Sequence, residues 1–86
     1  MKLDDLRLEI NQIDEEMLAL FEKRMEVAKK IGLYKKEHHL PVLDQSREKQ
    51  LLEMMKQKVN HKELISFYET FLIHLMSLSK AYQSES

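Results

Sequence analysis

The chain has no cysteine and no tryptophan, and only one glycine and one proline in 86 residues. Without cysteine there is no disulfide, no thiol nucleophile and no thiolate metal site. With Gly32 and Pro41 as the sole backbone breakers, hairpins and sheet corners are hard to build. Neither sign of charge prevails: 14 Lys and Arg face 15 Asp and Glu, for a formal net charge of −1. Hence no basic excess is available to hold nucleic acid or an anionic membrane surface. No apolar run approaches the ~18 residues of a membrane span, and the N-terminus does not read as a signal peptide. The expectation is a cytoplasmic protein with one small domain over residues 1–86 and no nucleic-acid or membrane partner.

What is present favours helix. Hydrophobic residues make up 43% and charged residues 34% of the chain. Leu, Met, Glu, Lys and Gln, all good helix formers, dominate. The first segment, about Leu3 to Glu37, carries apolar residues at Leu3, Leu6, Ile10, Ile13, Met17, Leu20, Val27, Ile31 and Tyr34. These alternating steps of three and four form a heptad seam, interrupted only at position 24. Leu18, Phe21, Met25 and Ala28 widen the face. Asp4 and Asp5 near its start and Lys35 and Lys36 near its end suit the helix dipole. A loop around Pro41 follows, and Asp44 is the expected N-cap of a second helix over about 45–58. Asn60 with Glu63 resembles a capping pair for a third helix over about 61–83, with the tail frayed. The fold expected is all-α, three helices per chain, one of them very long.

Length then becomes informative. A helix of ~33 residues is about 50 Å long, whereas a compact 86-residue globule is only some 30 Å across. The long helix must outrun its own domain, and its apolar seam needs a cover that two short helices cannot supply. A second copy of the chain, in an intertwined two-fold homodimer, is the simplest answer. A plain antiparallel coiled coil between hairpins is the alternative.

Several polar residues sit in apolar seams. Arg24 fills the gap between Leu20 and Val27, where it either makes an internal ion pair that sets register or lines an anion pocket. Lys35 comes 11 residues later, about three turns on and only about 20° around, so it faces the same way. Arg7 lies 17 residues before Arg24, about 25 Å along the axis, too far for both to grip one small ligand in one chain. In an antiparallel dimer, Arg7 of one chain can approach Arg24 of the other; a surface pair with Asp4 is the plainer reading. Glu48 falls in line with Leu52, Met55 and Val59, with Arg47 one step around. Either it complements the helix dipole or the two enter a buried polar site. Ser79 and Gln83 continue the stripe of Leu72 and Met76, either fraying into solvent or closing over a pocket. Taken together, these groups suit a small dianion bearing ether or hydroxyl oxygens. Other chemistries fare worse. His38, His39, His61 and His74 make no helical ligand pair for a metal. There is no Gly-rich phosphate loop and no Ser-His-Asp order.

Three stretches carry a family resemblance: "LRLEINQIDEEMLALFEKRMEVAKKIGLYKK", "PVLDQSREKQLL" and "SKAYQ". Together they resemble the small all-α chorismate mutases over nearly the whole chain, most specifically in P-V-x-D-x-x-R-E. The resemblance implies rearrangement of chorismate to prephenate in a homodimer without cofactor or metal. It implies that Arg24, Arg47 and the other protomer's Arg7 hold the substrate carboxylates, with Ser79 against one of them. Lys35 and Gln83 would donate to the ether oxygen, and Glu48 would accept from the ring hydroxyl, with the backbone around Asp44 near it. An isochorismate pyruvate lyase of the same fold, or a non-catalytic helical dimerisation module, is the competing expectation.

Overall fold

A computed structural model describes residues 2–85. The described residues form three α-helices: α1 (Leu3–Glu37), α2 (Gln45–Gln57) and α3 (Ile65–Ser84). A single 3₁₀ turn, Lys62–Leu64, leads into α3. The molecule is a rod of 55 × 26 × 15 Å with a radius of gyration of 16.0 Å. That is well above the ~12 Å of a compact chain of this length. The long dimension is α1 itself, since 35 residues rise about 52 Å. No helix is long and apolar enough to cross a membrane among the described residues.

The seam does not pack within the chain. The buried positions of α1 are Ala28 and Gly32, on the stripe beside it, and Gly32 lies against Gln83 of α3, whose other buried positions are Leu72, Met76 and Ser79. Small residues there let two backbones approach. A Cβ added at Gly32 would stand 3.0 Å from the Gln83 carbonyl oxygen and 3.1 Å from its Cα. The seam residues themselves are open: Leu3 is 61%, Ile10 57% and Leu20 66% exposed. A broad apolar groove of about 740 Å³ runs beside Met17, Leu20, Phe21, Phe71, Leu75 and Leu78.

α3 packs against both other helices, while α1 and α2 make no direct helix–helix packing among the described residues. α3 is thus a floor with α1 and α2 as separate walls. The Lys56–Glu69 ion pair, at 2.8 Å, ties α2 to α3. The hydrogen bond from Lys56 to Glu69, with the charge of that carboxylate, holds the Lys56 pKa above its ordinary 10.5. A raised lysine pKa means this contribution is full at neutral pH and is lost only as pH climbs through the raised value.

The joints follow local rules. α1 ends with His39 in the left-handed region, at φ 54°. The Leu40 N–H donates to the Lys35 carbonyl at 2.7 Å, a Schellman-type closure that usually takes glycine at the left-handed position. Asp44 caps α2 as expected, its Oδ1 accepting from the Arg47 N–H at 3.0 Å. The entrance to the third helix differs from expectation. Asn60 and Glu63 do not cap a helix from residue 61; the 3₁₀ turn intervenes, α3 starts at Ile65, and its N-cap Leu64 has no capping side chain. The chain reaches α3 through i→i+3 bonding, which closes without a polar cap. At the other end Ser84 is still helical and Glu85 is the C-cap, so α3 runs one residue beyond the expected end at about 83. Ser86 lies outside the described residues.

Candidate active site

The space between the two walls is a cavity of about 350 Å³. From α1, Arg24 and Lys35 reach it; from the start of α2, Asp44, Arg47 and Glu48; from α3, Ser79 and Gln83. Val27, Ile31, Leu51 and Met76 supply apolar wall between them. Arg7 lies elsewhere, exposed on the N-terminal part of α1, 17 residues and about 25 Å of helix from Arg24.

Most of the polar groups are held in place. Arg24 donates from Nη1 to the Ser79 hydroxyl. Ser79 in turn donates to the Leu75 carbonyl at 3.0 Å, so the guanidinium is fixed through α3 backbone. The Lys35 ammonium donates to the Val42 carbonyl at 2.8 Å and to the Gln83 amide oxygen at 3.3 Å. With its oxygen on a cation, the Gln83 amide is oriented with nitrogen as its donor end. Gln83 is 9% exposed. Arg47 stays exposed at the rim, although its backbone is fastened to Asp44. Glu48 is half-buried.

Two features had no signal in the seams. Lys80 also lines the cavity. Its Nζ donates to Glu48 Oε1 at 3.2 Å and lies 3.1 Å from Oε2. The available hint was its position next to Ser79 and one turn beyond Met76; a lysine near a helix end reads as solvated, which hid it. The Val42 carbonyl, as the anchor for Lys35, has no side-chain signal at all.

Gly32 sets the height of this site. An alanine methyl at position 32 would be tight against Gln83 backbone, which would have to give by a few tenths of an ångström. Helix propensity alone would favour the change by about 1 kcal/mol. Gly32→Ala should therefore leave helix content intact by circular dichroism. By nudging Gln83, it should cut turnover in the assay described below by a factor of roughly 2 to 10, below the ~100-fold of a full ångström of misplacement.

The cavity is a cationic, donor-rich hollow. Among the described residues it holds no nucleophile activated by a base and no acid–base dyad. It can bind and orient a small anion and stabilise negative charge developing on an oxygen. The family model described as chorismate mutase type II matches residues 6–84. A T-protein of Haemophilus influenzae is 41% identical over 51 residues, covering 59% of this chain and 14% of the relative. A "Bifunctional chorismate mutase/prephenate dehydratase" of Aquifex aeolicus is 42% identical over 52 residues, covering 60% and 14%. The chain thus spans only a small part of these longer relatives. On the breadth of the family match, the chain belongs to the chorismate mutase type II family.

Proposed function

We propose that the chain rearranges chorismate to prephenate, as an intertwined homodimer that completes each cavity with Arg7 of the other protomer. The observation that carries this reading is the convergence of Arg24, Lys35, Arg47, Ser79 and Gln83 on one partly apolar cavity. Its volume lies in the range of small-ligand pockets.

The reaction needs no proton transfer and no covalent enzyme intermediate. The ether C–O bond breaks while a C–C bond forms across the ring, in one unimolecular [3,3] step. Two tasks remain for the protein. The first is to hold the flexible enolpyruvyl arm folded over the ring, so that the bonding carbons meet. In this reading Arg24, held by Ser79, and Arg47 at the rim grip the two carboxylates by charge-assisted hydrogen bonds. The second is to stabilise the negative charge that grows on the ether oxygen. Lys35 has two of its three N–H groups engaged by Val42 and Gln83, which fixes the ammonium before substrate arrives. Glu48 is the acceptor for the ring hydroxyl.

The dimer reading rests on α1. Its N-terminal half exposes Leu3, Leu6, Ile10, Ile13, Met17 and Leu20 on one seam. That seam runs into the wide groove between α1 and α3. A second α1 laid antiparallel would cover both and bring its Arg7 toward Arg24. The arginine is lined up for this because Arg24 borders the groove as well as the cavity.

The test is direct. Purified protein incubated with chorismate should consume it and accumulate prephenate in equal amounts. Chorismate left unchanged would refute the reading. Pyruvate and salicylate formed from isochorismate, without prephenate from chorismate, would move the assignment to the lyase.

A further inference from the structure

We infer that Lys80 is a positioning residue for this reaction: its ammonium holds the Glu48 carboxylate at the cavity wall as the acceptor for the substrate's ring hydroxyl. The inference rests on the chorismate mutase reading and adds to it a residue that the family resemblance did not supply.

Geometry carries it. Lys80 Nζ lies 3.2 Å from Glu48 Oε1 and 3.1 Å from Oε2, and both side chains line the cavity. The pair is shielded, with side chains 34% and 27% exposed. The ammonium sits almost evenly between the two oxygens, which fixes the carboxylate in place. A carboxylate has about four lone-pair sites, so one lysine leaves capacity for a further donor. In the proposed reaction the ring hydroxyl supplies it.

Two other cations of the cavity are committed elsewhere. Arg24 is bonded to Ser79, and Lys35 to Val42 and Gln83. Lys80 is the one cation in ion-pair range of Glu48 among the described residues.

The experiment compares wild type, Lys80→Met and Lys80→Arg in the full chain. Each is assayed on chorismate and on the analogue lacking the ring hydroxyl. Lys80→Met should lose about tenfold or more in kcat/KM on chorismate but less than about twofold on the analogue, because the analogue has no hydroxyl to offer Glu48. Lys80→Arg should recover most of the loss. Combining Lys80→Met with Glu48→Ala should add little to Glu48→Ala alone, as expected of residues that act as a unit. Equal losses on both substrates would overturn the inference and leave Lys80 as a general charge. So would a Lys80→Met rate within about twofold of wild type on chorismate. If Lys80→Met fails to fold, Lys80→Gln is read by the same criteria. A wild type that does not turn over chorismate overturns the parent reading and this one with it. An active wild type with an indifferent Lys80 overturns this one alone.

Discussion

Lys35→Met lowers kcat by about 10²- to 10³-fold with a smaller change in KM, the signature of a charge that acts in the transition state. Lys35 is the cation bridging Val42 and Gln83, and in the proposed reaction its role is to face the ether oxygen as the C–O bond lengthens. Negative charge on that oxygen is small in bound chorismate and large at the transition state, so the penalty falls on the chemical step. Methionine keeps most of the length and the apolar stem of lysine, which confines the change to the ammonium. Steady-state kinetics with a thermal melt of the same variant separates this from unfolding. A kcat within about threefold of wild type would remove Lys35 from the chemistry.

Arg24→Ala behaves differently. It should lose at least about 100-fold in kcat/KM, with KM rising, because a carboxylate is gripped in ground state and transition state alike. Arg24 is half-buried and bonded to Ser79, and Ser79 keeps its bond to Leu75 when the arginine is gone. The helices should therefore remain packed, and the proposed dimer should survive on size-exclusion chromatography. Loss of activity together with loss of the dimer would make Arg24 a structural residue; an unchanged rate would leave the chain a scaffold.

Much of this was legible in the sequence, for specific reasons. The 3–4 rhythm from Leu3 to Tyr34 marked the span of α1, because neither strand nor loop sustains that period over so many residues. The angle between Arg24 and Lys35 followed from helix geometry alone, and both do line one cavity. Asp44 was recognisable as a cap because a short carboxylate between a proline loop and a helical run can reach the free N–H groups of the first turn. The misses have physical causes too. Ala28 and Gly32, the buried positions of α1 within the chain, are small residues beside the seam and carry little apolar signal. Gly32 reads in sequence as a propensity cost, and only the position of Gln83 reveals a close approach. Asn60 and Glu63 matched a capping pattern that a 3₁₀ turn displaced. Lys80 and the Val42 carbonyl depend on three-dimensional neighbours. Periodicity cannot report them.

The central claim is that each site is built from two chains. Arg7→Ala and Arg24→Ala should each be nearly inactive alone. A heterodimer of the two contains one site with both arginines intact and one with neither. Random remixing of equal amounts, with heterodimers verified by mass spectrometry, should restore about a quarter of wild-type activity. Verified heterodimers that remain as inactive as the separate variants would contradict a shared site.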